Sequence, residues 1–110
     1  MKEYETIKQY DNNIWGTIGG DFGLDNWVHN YYRFKDKMVS VYSDNAFNDD
    51  FSIAVFKIKD LRKKYNWYDE KLLEKDNITL SDVVDIIEQV KGGKLQWLNY
   101  QQIMQSLEWL

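Results

Sequence analysis

Residues 51–58, Phe51-Ser52-Ile53-Ala54-Val55-Phe56-Lys57-Ile58, alternate with a period of two. Phe51, Ile53 and Val55 fall on one side and Ser52, Ala54 and Phe56 on the other. Successive side chains of an extended chain point to opposite faces, so this pattern predicts a strand. Both sides are largely apolar, which places that strand in the interior of its sheet. An interior strand needs neighbours, and the residues before it supply them. Residues 30–34 and 38–43 flank Lys35-Asp36-Lys37 and read as a hairpin, with Val39 and Val41 on one face and Ser40 and Tyr42 on the other. Residues 14–18 form a further short strand. Residues 24–32 carry two periods at once: Trp27, Tyr31 and Phe34 have helical spacing, whereas Val28, Asn30 and Tyr32 alternate. The favoured reading is a short turn or loop leading into a strand. Proline is absent, so turns fall to Gly, Asn and Asp, which cluster at 11–13, 19–23 and 44–50.

Working towards the C-terminus, the period changes. Leu61, Tyr65, Tyr68 and Leu72 are spaced i, i+4, i+7, i+11, which predicts an amphipathic helix from about Asp60. Thr79 followed three residues later by Asp82 is a capping signature for a second helix. Leu80, Val83, Val84, Ile87 and Val90 make its buried face, and Gly92 stops it. Asn99 and Gln102 repeat that grammar for a third helix, with Tyr100, Ile103, Met104 and Leu107 as its apolar face. The expected architecture is α+β: an antiparallel sheet of three to five strands in the first half, packed against two or three helices in the second half. With 110 residues, the chain is expected to be a single domain, 1–110.

Composition excludes several classes. There is no Cys, so neither a disulfide framework nor a thiolate metal site is possible. No apolar run is long enough for a membrane span, and the first residues carry no secretory h-region, so a cytoplasmic location is expected. Five Trp, eight Tyr and five Phe provide large side chains for a core. The net charge of −4 disfavours nonspecific nucleic-acid binding and favours basic partners. The charge is uneven: residues 57–75 hold seven basic against four acidic side chains, whereas both flanking segments are acidic.

Catalytic machinery is sparse. His29 is the single histidine, and no Ser sits in a G-x-S-x-G context, so a nucleophile–base pair is not evident. The 44–50 loop, with Asp44, Asn45, Asn48, Asp49 and Asp50, offers hard oxygen donors. It fails the EF-hand pattern, because Asp49 stands where the Gly is required and Val55 where the Glu is required. Asp21-Phe22-Gly23 matches three letters of a kinase motif without the rest of a kinase, and Leu24-Asp25 stands where a phosphate loop needs Lys and Ser/Thr. The acidic pairs Asp49/Asp50 and Asp69/Glu70 are adjacent in sequence, so on regular structure their side chains diverge. No enzyme activity, metal or cofactor is expected.

Two surfaces then compete for a binding role. The basic band 57–65, with Lys59, Arg62, Lys63 and Lys64 beside Tyr65, Trp67 and Tyr68, has the chemistry to grip a phosphate backbone and stack bases. The acidic loops, with Asp21, Phe22, Asp25, Trp27, Asp44, Phe47, Asp49 and Asp50, combine aromatic anchors with carboxylates, as suits a binder of a basic protein surface. The second is favoured. The expected function is a non-catalytic protein-binding domain, a small acidic stoichiometric inhibitor of a basic or nucleic-acid-binding protein, of the toxin-immunity or phage anti-defence kind. The alternatives are a nucleic-acid-binding module using the basic band, and a small enzyme or metal protein using His29 or the 44–50 loop.

Overall fold

In the computed structural model, residues 2–65 and 68–93 are described. A short helix α1 (Lys2–Lys8) opens the chain, followed by strands β1 (Ile14–Gly19), β2 (Val28–Phe34), β3 (Lys37–Asn45), β4 (Asp50–Ile58) and β5 (Tyr68–Ile78), and then helix α2 (Leu80–Lys91). The strands form one antiparallel sheet in sequence order. The α+β class is as expected, and 51–58 lies inside the sheet between β3 and β5. The hairpin is also as expected, with Phe34 paired to Lys37 across a turn in which Lys35 adopts a left-handed φ of 58°. Residues 24–32 resolve into a turn and then β2, which begins at Val28.

One face of the sheet packs against the helices. Val28, Asn30, Tyr32 and Phe34 of β2, Val39, Val41 and Ser43 of β3, and Phe51, Ile53 and Val55 of β4 are all buried. Each set has the two-residue period that puts it on one face. Against it lie Leu80, Val83, Ile86, Ile87 and Val90 of α2, together with Ile7 of α1 and Tyr10. Tyr4, Ile7 and Tyr10 are spaced by three, which makes one side of a helical turn. The Tyr10 hydroxyl donates to the Glu88 carboxylate on α2, and the Tyr10 ring meets Phe34 edge-on at 6.0 Å. Burial, reinforced by Glu88, holds the Tyr10 hydroxyl far above the ordinary phenol range, and burial pushes that of Tyr32 up to about 12. Both phenols therefore stay neutral in the folded protein at any physiological pH.

The helix expected from Asp60 is not there: residues 68–78 form β5, so one helix, not two or three, lies in the described second half. The helical spacing of Leu61, Tyr65, Tyr68 and Leu72 is overridden because β4 needs a hydrogen-bonding partner on its second side, and β5 supplies it. The charged composition of β5, Asp-Glu-Lys-Leu-Leu-Glu-Lys-Asp, is that of a protected edge strand. The helix expected after Asn99 lies outside the described residues.

The capping signature at Thr79 is present in full. The Thr79 hydroxyl accepts from the Asp82 N–H, and the Asp82 carboxylate accepts from the Thr79 N–H, both at 3.1 Å. A third acceptor comes from afar: the Asp49 carboxylate takes the Leu80 N–H at 2.8 Å. Asp49 holds a left-handed φ of 55° in the turn before β4 and so ties that turn to the start of α2. Asp49→Ala is expected to destabilise the domain by about 1–2 kcal/mol, because it removes a helix-end acceptor. Asp49→Asn, which keeps an acceptor and tolerates positive φ, is expected to recover most of that loss in urea unfolding.

Candidate functional site

The acidic loops come together at one end of the sheet, and Asn26 joins them. Its carbonyl accepts from the Ala46 N–H at 2.9 Å, its side-chain oxygen accepts from the Phe47 N–H at 2.9 Å, and its amide donates to the Asp44 carbonyl at 3.2 Å. The loop before β2 and the short turn Ala46–Asn48 after β3 are thereby held as one unit. Tyr4 of α1 buttresses it: its hydroxyl donates to the Ala46 carbonyl at 3.3 Å. Its ring lies under Gly23, where a φ of 88° favours glycine.

Three large apolar side chains on this unit face solvent: Leu24 is 71% exposed, Phe47 63% and Trp27 44%. The Trp27 ring lies against Gly19 of β1, where a side chain would collide with it. Around these anchors Asp21, Asp25, Asp44 and Asp49 are exposed. Their roles differ. The Asp25 carboxylate accepts from the Asp21 N–H at 2.8 Å and closes its own turn. Asp49 holds α2, and Asp50 accepts from the Asn77 amide at 3.2 Å. Among the described residues, the carboxylates of Asp21 and Asp44 have no hydrogen-bond or ion-pair partner, so their charge is fully available at the surface.

Phe22 does not stand where a surface anchor should. It is 4% exposed and stacks on Phe51 at 6.0 Å, within the core. The turn that presents Leu24 points Phe22 inward, because the loop must close the end of the core between β4 and α1. Leu24 and Asn26 are the residues that the sequence reading missed. An exposed leucine inside a Gly/Asp-rich loop was a readable signal for the first. The second owes its role to partners about twenty positions away, and nothing local announces it.

The basic band begins in β4, where Ile58 is buried, and from Lys59 onward is an exposed turn rather than the wet side of a helix, with Leu61 half exposed. Lys59, Arg62, Lys63 and Lys64 are all exposed. Arg62 is clasped to Asp60: its Nε donates to Oδ1 at 3.2 Å, its Nη2 to Oδ2 at 3.3 Å and its backbone N–H to Oδ1 at 3.0 Å. That hydrogen bonding holds the Asp60 carboxyl below its ordinary range. Tyr65 leaves the band altogether and stacks on Tyr31 of β2 at 4.7 Å, its ring lying over Gly16.

His29 sits on the face of the sheet opposite α2. Its Nε2 is 3.2 Å from the Ser40 hydroxyl, and its ring lies 4.8 Å from Tyr31 and 5.3 Å from Tyr42. Burial lowers its pKa below the ordinary histidine value, so the imidazole is neutral at pH 7. Among the described residues, no three His, Asp or Glu side chains converge as metal ligands. Because folding disfavours His29 protonation, the stability it contributes is present above about pH 6.5 and lost as pH falls below it. Urea midpoints measured between pH 7.5 and 5 are expected to fall, and His29→Gln is expected to flatten that decline.

Searches with the chain against protein-family models, curated proteins and solved structures return no match. Among the described residues, no helix is long and apolar enough to cross a membrane. The functional reading therefore rests on the site itself.

Proposed function

We propose that the chain is a non-catalytic protein-binding domain, a small acidic stoichiometric inhibitor of a basic or nucleic-acid-binding protein. The observation that carries this reading is the latched pair of loops. Asn26 fixes Trp27 and Phe47 in one rigid unit, exposed beside the unpaired carboxylates of Asp21 and Asp44. Exposing large apolar side chains is unfavourable unless a partner covers them, and grouping them on a hydrogen-bonded scaffold reduces the ordering cost of binding. Carboxylates at the rim speed encounter with a positively charged surface, and the apolar anchors then supply the affinity. Such a domain acts by occupying the face that its partner uses for a polyanion, in cytoplasm, as toxin-immunity and phage anti-defence proteins do.

The test is a titration. The partner's nucleic-acid binding or nuclease activity is measured while this chain is added. An equivalence point at one chain per partner, with no time dependence afterwards, is the expected result. Loss of partner activity at far below one equivalent, growing with time, would show turnover and overturn the inhibitor reading.

A further inference from the structure

The face of the sheet away from the helices holds a hollow whose walls differ in chemistry. Across neighbouring strands, one row of paired residues runs Tyr31, Ser40, Ala54, Glu74. The row beside it begins His29, Tyr42, Ser52. In both rows the β4 position is small, with aromatic rings towards β2; in the first row the β5 position is Glu74. Over Ser52 and Ala54 a cavity of about 210 Å³ opens, closed further along β4 by Phe56 and lined also by Tyr42 and, at its far wall, by Glu74 and Asp76.

The charges lining this hollow are of one sign. Glu74 and Asp76 are acidic, no Lys or Arg lines it, and His29 is neutral at pH 7. Glu74 is partly satisfied by Lys71 at 2.5 Å from outside the lining. Asp76 has no hydrogen-bond or ion-pair partner among the described residues. An anion would be repelled here. A planar cation fits both walls: its face stacks on an aromatic ring while its edge donates to a carboxylate. Two strand spacings, about 10 Å, separate β3 from β5. A guanidinium over Ser52 would have Tyr42, its cross-strand partner, on one side and the β5 carboxylates of the same lining on the other, and the fork of donors on arginine suits that arrangement better than the point charge of lysine.

We propose that this hollow binds an arginine side chain presented by a partner protein. The hollow shares no residue with the acidic loops, although Tyr42 and Ser52 lie only two positions from Asp44 and Asp50, and it stands or falls separately from them. The probe is the capped tripeptide acetyl-Gly-Arg-Gly-amide, titrated into the 15N-labelled full-length protein, with the neutral citrulline tripeptide as control. Saturable amide shifts confined to Tyr42, Ser52 and Asp76 and their neighbours are expected with the arginine peptide. The citrulline peptide is expected to bind at least fivefold more weakly. Asp76→Asn should weaken arginine binding about fivefold, the upper end for an exposed ion pair. Ser52→Leu, which fills the floor, should abolish it, and Phe47→Ala should leave it unchanged. Equal response to the citrulline peptide, shifts confined to the acidic loops, or full binding by both Asp76→Asn and Ser52→Leu would each overturn the proposal. Because Asp76 is exposed, its variant folds normally and keeps the test decisive even if Ser52→Leu does not fold.

Discussion

Phe51→Ala is expected to destabilise the domain by about 3–5 kcal/mol, the range for emptying a buried aromatic site. Phe51 is 1% exposed, is the second residue of the interior strand β4, stacks on Phe22 and pairs with Ile78 at the end of β5. Two strands and one loop thus meet at this residue, and few neighbours are free to collapse into the space. A domain of this length has a total stability of about 5–15 kcal/mol, so the loss consumes a large share of it. In urea unfolding followed by far-UV circular dichroism, the midpoint should fall by about 2 M with the slope unchanged. Phe22→Ala should act in the same direction, because it removes the other half of the stack. A loss below 1 kcal/mol for Phe51→Ala would contradict the packing described above.

Phe47→Ala is expected to do the reverse: little to stability and much to binding. The ring is 63% exposed, so its removal should shift stability by no more than about 0.5 kcal/mol. As a central aromatic anchor it should cost about 2 kcal/mol or more in partner affinity, roughly 30-fold, expressed mainly as faster dissociation. Trp27→Ala should behave similarly in binding. Asp21→Asn and Asp44→Asn are expected to act on the other kinetic constant, slowing association and flattening its salt dependence, with less than about 1 kcal/mol each in affinity. Surface plasmon resonance at two salt concentrations separates these effects. Equal affinity for wild type and Phe47→Ala would remove the loops as the interface.

The core of the fold was legible because its signal is local. The alternation at 51–58 and the Thr79–Asp82 box each lie within one element, and both appear as read. β5 was misread because Leu61, Tyr65, Tyr68 and Leu72 have helical spacing and the segment is rich in helix formers. Only the open side of β4, a tertiary demand, turns it into a strand. The candidate site divides in the same way. Its carboxylates and its exposed rings could be named from loop composition, but not which of them are committed elsewhere. Asp49 and Asp50 hold α2 and β5, and Phe22 closes the core, all through partners distant in sequence. The Asn26 latch, which makes two loops one surface, arises from contacts 18 to 21 residues apart.

The most direct test of the claim that these loops bind a basic protein is paired affinity capture. Wild-type and Phe47→Ala chains serve as baits in parallel against lysate of the source cells and their mobile elements, at low and high salt, with quantitative mass spectrometry. The expected result is a basic protein retained one-to-one by the wild type, at least tenfold depleted on Phe47→Ala and released by salt. Retention of the same proteins by both baits, or of none by either, would contradict it.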